Sequence, residues 1–407
     1  MLFSASGVEF TSVCLPMAKN IVCNNALFLS AIFSLLILLA LPCAAASPPE
    51  ILYGYVDHSG KWVIPPRYAH AFRFYYGRAL VIDDSNRELF LDKSGKQVAR
   101  ESADGITIAR NDRGQLIFVD KTGKQIGPSY YELGGFDPDT GLAYASLPAT
   151  NPSLHHFSDK TGYVDRKGHI IIPLQYDSAG TFSEGLAVVS HTVPFSYWLF
   201  FTGHTDKYEV IDPTGKIVIP SEKIPGVIVN GFSEGLCVVD EKGEERYMDK
   251  TGAFAMGKAV FGIGGPFQEG LAYAVKAGPV DFSVPMYFGF IDHTGKWVIK
   301  PKFTKVSNFC EGLARVQLEQ FEKPFGYIDK TGKFVIPLKY KEAGDFKEGL
   351  AAVLESKSGS DEWKYITKQG KTAFSIPHAH SAGIFSEGLA PVGIVNPQAK
   401  PSKPPAH

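Results

Sequence analysis

Phe325 to Pro337 reads FGYIDKTGKFVIP, and thirty-seven residues earlier Phe288 to Lys300 reads FGFIDHTGKWVIK. Self-similarity at a fixed period constrains a fold more than any local pattern, because a short unit that cannot bury its own apolar face must be covered by its neighbours. The D-x-x-G segment recurs at Asp57, Asp92, Asp120, Asp165, Asp212, Asp249, Asp292 and Asp329, with an altered ninth copy at Thr367 to Gly370. A second anchor follows most copies: FSEGL at Phe182, Phe232 and Phe385, FQEGL at Phe267, FCEGL at Phe309 and FKEGL at Phe346. Weaker versions are FYYGRA from Phe74 and FDPDTGLA from Phe136, and the unit turning at Gly95 has no second anchor before Asp120.

Each half of the unit has a mechanical reading. Apolar residues flank D-K-T-G, where Asp329 can accept backbone N–H bonds and Gly332 can take positive φ, so the spacing predicts a β-hairpin closed by a type I turn with a bulge. Pro65, Pro173, Pro220 and Pro337 are expected to end the second strand, because proline cannot donate to a ladder. A loop with an aromatic (Tyr68, Tyr176, Phe303 or Tyr340) then leads to the E-G-L bend and a third strand such as LARVQLE. The expectation is an all-β tandem array of about nine three-stranded hairpin repeats over residues 51–395, either open and solenoid-like or closed as a toroid or propeller. Three strands per unit and a short period favour the open form.

These residues resemble the WG repeat family, whose units carry an aromatic and Gly before Tyr/Phe-Ile/Val-Asp-x-x-Gly and a later E-G-L-A. Tyr53, Thr161, Phe288 and Phe325 stand where the family has Trp. The resemblance implies a bacterial, often exported protein and implies no reaction.

Residues 1–46 differ in kind from the array. Lys19 precedes an apolar stretch from Ala26 to Leu41, and Ala44, Ala45 and Ala46 follow Pro42, which is the order of a secretory signal peptide cleaved near Ser47. Retention as an anchor and lipidation at Cys43 are the alternatives, and Met17 is a second candidate start. The expected location is therefore outside the cytoplasm: periplasm, cell surface or medium. Membrane contact would come only through an uncleaved leader. Residues 396–407, NPQAKPSKPPAH, read as a proline-rich disordered tail.

A net charge of −1 gives no field to draw in nucleic acid. Cys237 and Cys310 remain after the leader and are expected as buried free thiols. One aspartate per turn suits capping better than calcium, whose loops alternate carboxylates. Glu184, Glu234, Glu269, Glu311, Glu348 and Glu387 should fall at equivalent points, either satisfying backbone at repeat interfaces or forming a row of acids that grips a cation or sugar. The pairs His155/His156 and His378/His380 lack a third spaced ligand, so no metal or cofactor is expected.

Where the period stretches, insertions occupy one point of the unit: LPATNPSLHHFS, HTVPFSYWLFFTGHTDK and KAGPVDFSVPMYF. They should project from one side of the array, and Phe195, Tyr197, Trp198, Phe200 and Phe201 make the second the candidate binding surface. The functional expectation is an exported, noncatalytic scaffold that binds protein or glycan at the cell envelope. A glycosidase-like enzyme on a propeller and a purely structural envelope protein are the rivals.

Overall fold

The computed structural model describes residues 50–98, 106–111, 113–147, 160–197, 201–276, 286–318, 324–357 and 360–398, with backbone only at 107, 194–197, 201–204 and 357. The leader, His155, His156, Trp198, Phe200 and the tail beyond Gln398 lie outside the described residues.

The hairpin turns form as their residues dictate. Asp329 Oδ1 accepts the N–H of Thr331 (2.9 Å) and Lys333 (3.1 Å), and Gly332, at φ 83°, donates to the Asp329 carbonyl at 2.9 Å. Asp57, Asp92, Asp120, Asp165, Asp212, Asp249 and Asp292 repeat this cap. Thr367, the ninth turn's substitute, leaves its buried hydroxyl without a partner.

The strand after the turn does not stop at proline. Trp62–Tyr68, Ile170–Tyr176 and Phe334–Tyr340 run through Pro65, Pro173 and Pro337, and only Ile217–Ile219 ends before one, at Pro220. Each proline in the longer strands sits within a bulge, where a missing N–H costs no ladder bond. The aromatics expected in a loop instead finish the strand and are buried: Tyr68, Tyr176, Phe303 and Tyr340. The same bulge explains the glycine of the aromatic-Gly pair. The backbone from Ile336 to Leu338 folds so close over Gly326 that a Cβ there would lie 2.7 Å from the Ile336 carbonyl oxygen, and Gly54, Gly162 and Gly289 are equally crowded.

Units hold four strands, not three. A two-residue strand, such as Glu342–Ala343, follows the bulged strand after a single residue and pairs with the E-G-L strand, here Leu350–Lys357. Among the described residues the strands form eight hydrogen-bonded sheets. Six have four strands and one has three; the seven-stranded one joins two units through the single pair Glu245↔Phe261, so eight sheets hold nine units. The three-stranded sheet (Thr107–Arg110, Leu116–Val119, Gln125–Tyr130) belongs to the unit that lacks a second anchor in the sequence.

The sequence repeat and the sheet are out of phase. Each four-stranded sheet takes its short strand and the strand after it from one repeat and its hairpin from the next. The first hairpin, Ile51–Val56 with Trp62–Tyr68, therefore begins without an E-G-L strand, and the last E-G-L strand, Ala390–Val395, ends without a hairpin. They complete one another: Ile51↔Val395 through Val56↔Ala390 pair antiparallel, and the Asn396 N–H donates to Glu50 O at 2.7 Å. The array closes into a ring, and the open arrangement is excluded. Closure spares the terminal sheets an unpaired edge. It also makes Asn396 part of the fold and not of the tail.

The core lies between sheets. Tyr327, Ile336 and Tyr340 of one sheet pack with Phe346, Ala351, Val353 and Ile366 around the next. The clusters around Val56, Tyr365 and Val392 and around Tyr55, Phe74 and Leu389 carry the same packing across the closure. Tyrosine hydroxyls tie neighbouring units together: Tyr55, Tyr163, Tyr247, Tyr327 and Tyr365 donate to the carbonyls of Phe72, Gly180, Gly265, Gly344 and Gly383 at 2.6–2.7 Å. Burial pushes all five phenols up, and it pushes the Cys237 thiol up to about 12. Cys237 is buried as expected, whereas Cys310 is only half-buried.

Candidate functional site

The E-G-L bend is a two-residue hairpin turn. Ser183 and Leu186 exchange backbone bonds of 2.8 and 3.1 Å, while Glu184 (φ 52°) and Gly185 (φ 78°) both lie in the left-handed region, as a type I′ turn requires. Five other glutamates adopt the same φ, 51–56°. That conformation costs a non-glycine residue about 1–2 kcal/mol, and the carboxylate offsets it by reaching the next turn. Glu184 accepts the Gly235 N–H (3.0 Å), Glu234 that of Gly270, Glu269 that of Gly312, Glu311 that of Gly349, Glu348 that of Gly388, and Glu387, across the closure, that of Gly77 (2.8 Å). Of the two readings of the glutamates, backbone satisfaction is the one found.

The residues after five hairpin aspartates, and the one after Thr367, belong to the same ring. Lys250 pairs with Glu184 at 3.0 Å, Lys330 with Glu269 at 3.2 Å and Lys93 with Glu387 at 3.3 Å. His293 and His58 stand 3.2 Å from Glu234 and Glu348 while stacking on Phe267 and Phe385, and Lys368 donates to the Glu311 carbonyl. The basic residues beside most of the aspartates were visible in the sequence; their partners, about 60 residues away or, across the closure, about 290, were not.

Strand order gives the ring two faces. E-G-L and D-x-x-G turns share one face, because the E-G-L strand leaves it and the next strand returns to it. The links between those two strands lie on the other face, where the described residues flanking all three insertions are found. The second insertion is a β-arm: Ala187–Tyr197 pairs with Phe201–Ile211 along its whole length, to Tyr197↔Phe201. Neighbouring strands reach only Val189, Ser190, Val210 and Ile211, so the seven pairs from His191↔Lys207 outward have no third strand among the described residues. Thr192 anchors the base, its hydroxyl donating to Asp206 (2.7 Å) and its N–H to Asp177 (2.9 Å). Of the predicted binding residues, Phe195, Tyr197 and Phe201 sit on the arm by backbone position, and Trp198 and Phe200 lie outside the described residues.

On the turn face the glutamate chain is interrupted. Tyr76 occupies a glutamate position at φ 51°, and the following three-stranded sheet contributes no E-G-L turn. Arg166, the residue after Asp165, spans that gap: its guanidinium lies 5.3 Å from the Tyr76 ring centroid and 5.5 Å from that of Phe136. Tyr75 meets Tyr76 edge to face at 4.7 Å, and the two are 64% and 53% exposed. The sequence marked FYYGRA only as a weak anchor, although tyrosine in place of Ser-Glu was the available signal. His378 and His380 are exposed, and among the described residues no group of three His, Cys, Asp or Glu could hold a metal. One carboxylate pair escaped the sequence reading: Asp240 faces Glu245 across two strands, but Gly243 and Gly264 donate their N–H groups to them, and burial pushes the Glu245 carboxyl up.

The WG containing repeat matches residues 53–86, 162–191, 288–320 and 325–356. These four stretches are WG repeats. In them the repeat's glycine is the crowded Gly54, Gly162, Gly289 or Gly326, and the matched residues carry the hairpin and the E-G-L strand of the ring. No curated protein matches the chain. Similar solved structures include a quinonprotein alcohol dehydrogenase-like protein from Bacteroides thetaiotaomicron, at 10% identity over 85% of this chain and 91% of that one, TM-score 0.29. A tricorn protease aligns at 14% identity over 83% of this chain, TM-score 0.21, and a prolyl endopeptidase at 10% over 81%, TM-score 0.38. The chain covers 36% and 49% of those two proteins. The activities in those names belong to those proteins.

The capped turns make the ring sensitive to acid. Hydroxyls of Ser59, Ser94, Thr122, Thr214, Thr251, Thr294 and Thr331, with backbone N–H groups, hold the carboxyls of Asp57, Asp92, Asp120, Asp212, Asp249, Asp292 and Asp329 below 3.8. A depressed carboxyl contributes stability that is present above its unfolded value and lost as pH falls through the folded one. Thermal midpoints should therefore hold from pH 7 to about 5 and fall increasingly below about pH 4; a flat profile down to pH 3 would contradict the capping role.

Proposed function

We propose that this WG-repeat ring is an exported, noncatalytic scaffold that binds a protein or glycan at the cell envelope through the arm Ala187–Ile211. The observation that supports this is the arm's two edges, which no third strand among the described residues pairs. A two-stranded ribbon alone is marginal in water, and exposed strand edges are surfaces that other chains complete. Its aromatic-rich tip sequence, FSYWLFF, adds contact residues of the kind enriched at interfaces.

Replacing residues 193–205 with an Asn-Gly turn tests the reading. The thermal midpoint should shift by less than about 2 °C, since the backbone pairs removed have no third strand among the described residues, and partners recovered by the intact protein from the extracytoplasmic fraction should be lost. Collapse of the fold, or capture unchanged by the replacement, would remove the arm from the function. Recovery of no specific partner by the intact protein would favour a purely structural envelope role, and turnover in a hydrolase screen would end the noncatalytic reading.

A further inference from the structure

We propose that Tyr75, Tyr76, Phe136 and Arg166 form a second binding site, on the face opposite the arm, for a carboxylate-bearing glycan. At five other hairpins the residue after the aspartate meets a glutamate of the preceding sheet, as Lys250, Lys330 and Lys93 do. Arg166 has no such partner, because the preceding sheet supplies no E-G-L turn and the turn beyond it carries Tyr76 in place of glutamate. No ion pair involves Arg166 among the described residues. Asp137, which like Arg166 lies within electrostatic reach of Tyr75, has its Oδ1 engaged by the N–H and hydroxyl of Thr140 at 2.8 Å each.

The guanidinium is nonetheless held in place. Contact with the Tyr76 and Phe136 rings orients it, and its in-plane N–H groups remain for a ligand. Such a fork matches a carboxylate with two parallel bonds. The exposed rings of Tyr75 and Tyr76 supply flat apolar surface beside it, suited to the C–H face of a pyranose. An extended peptide fits less well: the backbone here is already paired, Tyr75 N–H to Arg78 O at 2.7 Å and Arg78 N–H to Tyr75 O at 3.2 Å, which leaves no edge for strand addition.

Titration calorimetry of the full chain with trigalacturonate, its neutral methyl ester, sialyllactose and an acidic peptide tests the site. An acidic sugar should bind, the ester at least tenfold more weakly than trigalacturonate, and Arg166→Gln should lower acidic-sugar affinity at least tenfold. Tyr76→Glu restores the residue found at this φ in six other turns, so the thermal midpoint should hold while binding is lost to the protein's own carboxylate. Replacing the arm should leave this affinity unchanged, which separates the two sites. Binding of neither acidic sugar, affinity indifferent to Arg166→Gln, or binding of the peptide alone would overturn the proposal.

Discussion

Ending the chain at Gly388 is expected to unfold the ring rather than shorten it. The deletion removes the centre of the closing sheet, leaving the hairpin Ile51–Tyr68 and the strand Ala379–Ala382 without their shared neighbour. Buried Leu389 and Val392 each contribute about 1.5–3 kcal/mol, and six backbone pairings with Ile51–Val56 go with them. The total loss should exceed about 5 kcal/mol, lowering the thermal midpoint by about 10 °C or more. An open array would respond differently, losing one terminal unit while amide protection in Ile51–Tyr68 persisted. Hydrogen exchange read at that hairpin decides between them: protection retained in the truncated chain would contradict closure.

Gly326→Ala is the second large effect. A Cβ at this position would lie 2.7 Å from Ile336 O, 2.9 Å from Leu338 N and 2.9 Å from the Pro337 carbonyl carbon. All three are backbone atoms, so no rotamer change relieves the clash. The cost should reach or exceed the upper end of the usual 1–3 kcal/mol for overpacking, about 3 kcal/mol. Gly135→Ala is the control, with open space around its Cβ and no positive φ, and should fall within about 0.5 kcal/mol of the parent. Chemical denaturation of both variants gives the comparison; equal midpoints would mean that the bulge relaxes without difficulty and that the glycine has another role.

The hairpins were legible because their information is local. Asp329 and Gly332 are three residues apart, and an aspartate oxygen close to two N–H groups needs nothing from the rest of the chain. The short strand Glu342–Ala343 was missed because two residues carry no period to detect. The run through Pro337 was missed because the proline rule assumes a regular ladder, while the bulge at Gly326 removes the bond that proline would have broken. Of the candidate sites, the arm was legible as an aromatic insertion. The Tyr75–Arg166 patch was not, because its members come from sheets on either side of a third.

The sequence alone determined the module: a capped hairpin, a bend at E-G-L and an apolar face too small to stand by itself. Those choices are local hydrogen bonding and backbone conformation, decided within a few residues. Only the tertiary structure decided that the modules close, that each carboxylate of an E-G-L turn serves the glycine of the next, and that Arg166 is left without one. Closure and coupling depend on the accumulated rotation from sheet to sheet, a sum over many interfaces that no single repeat encodes.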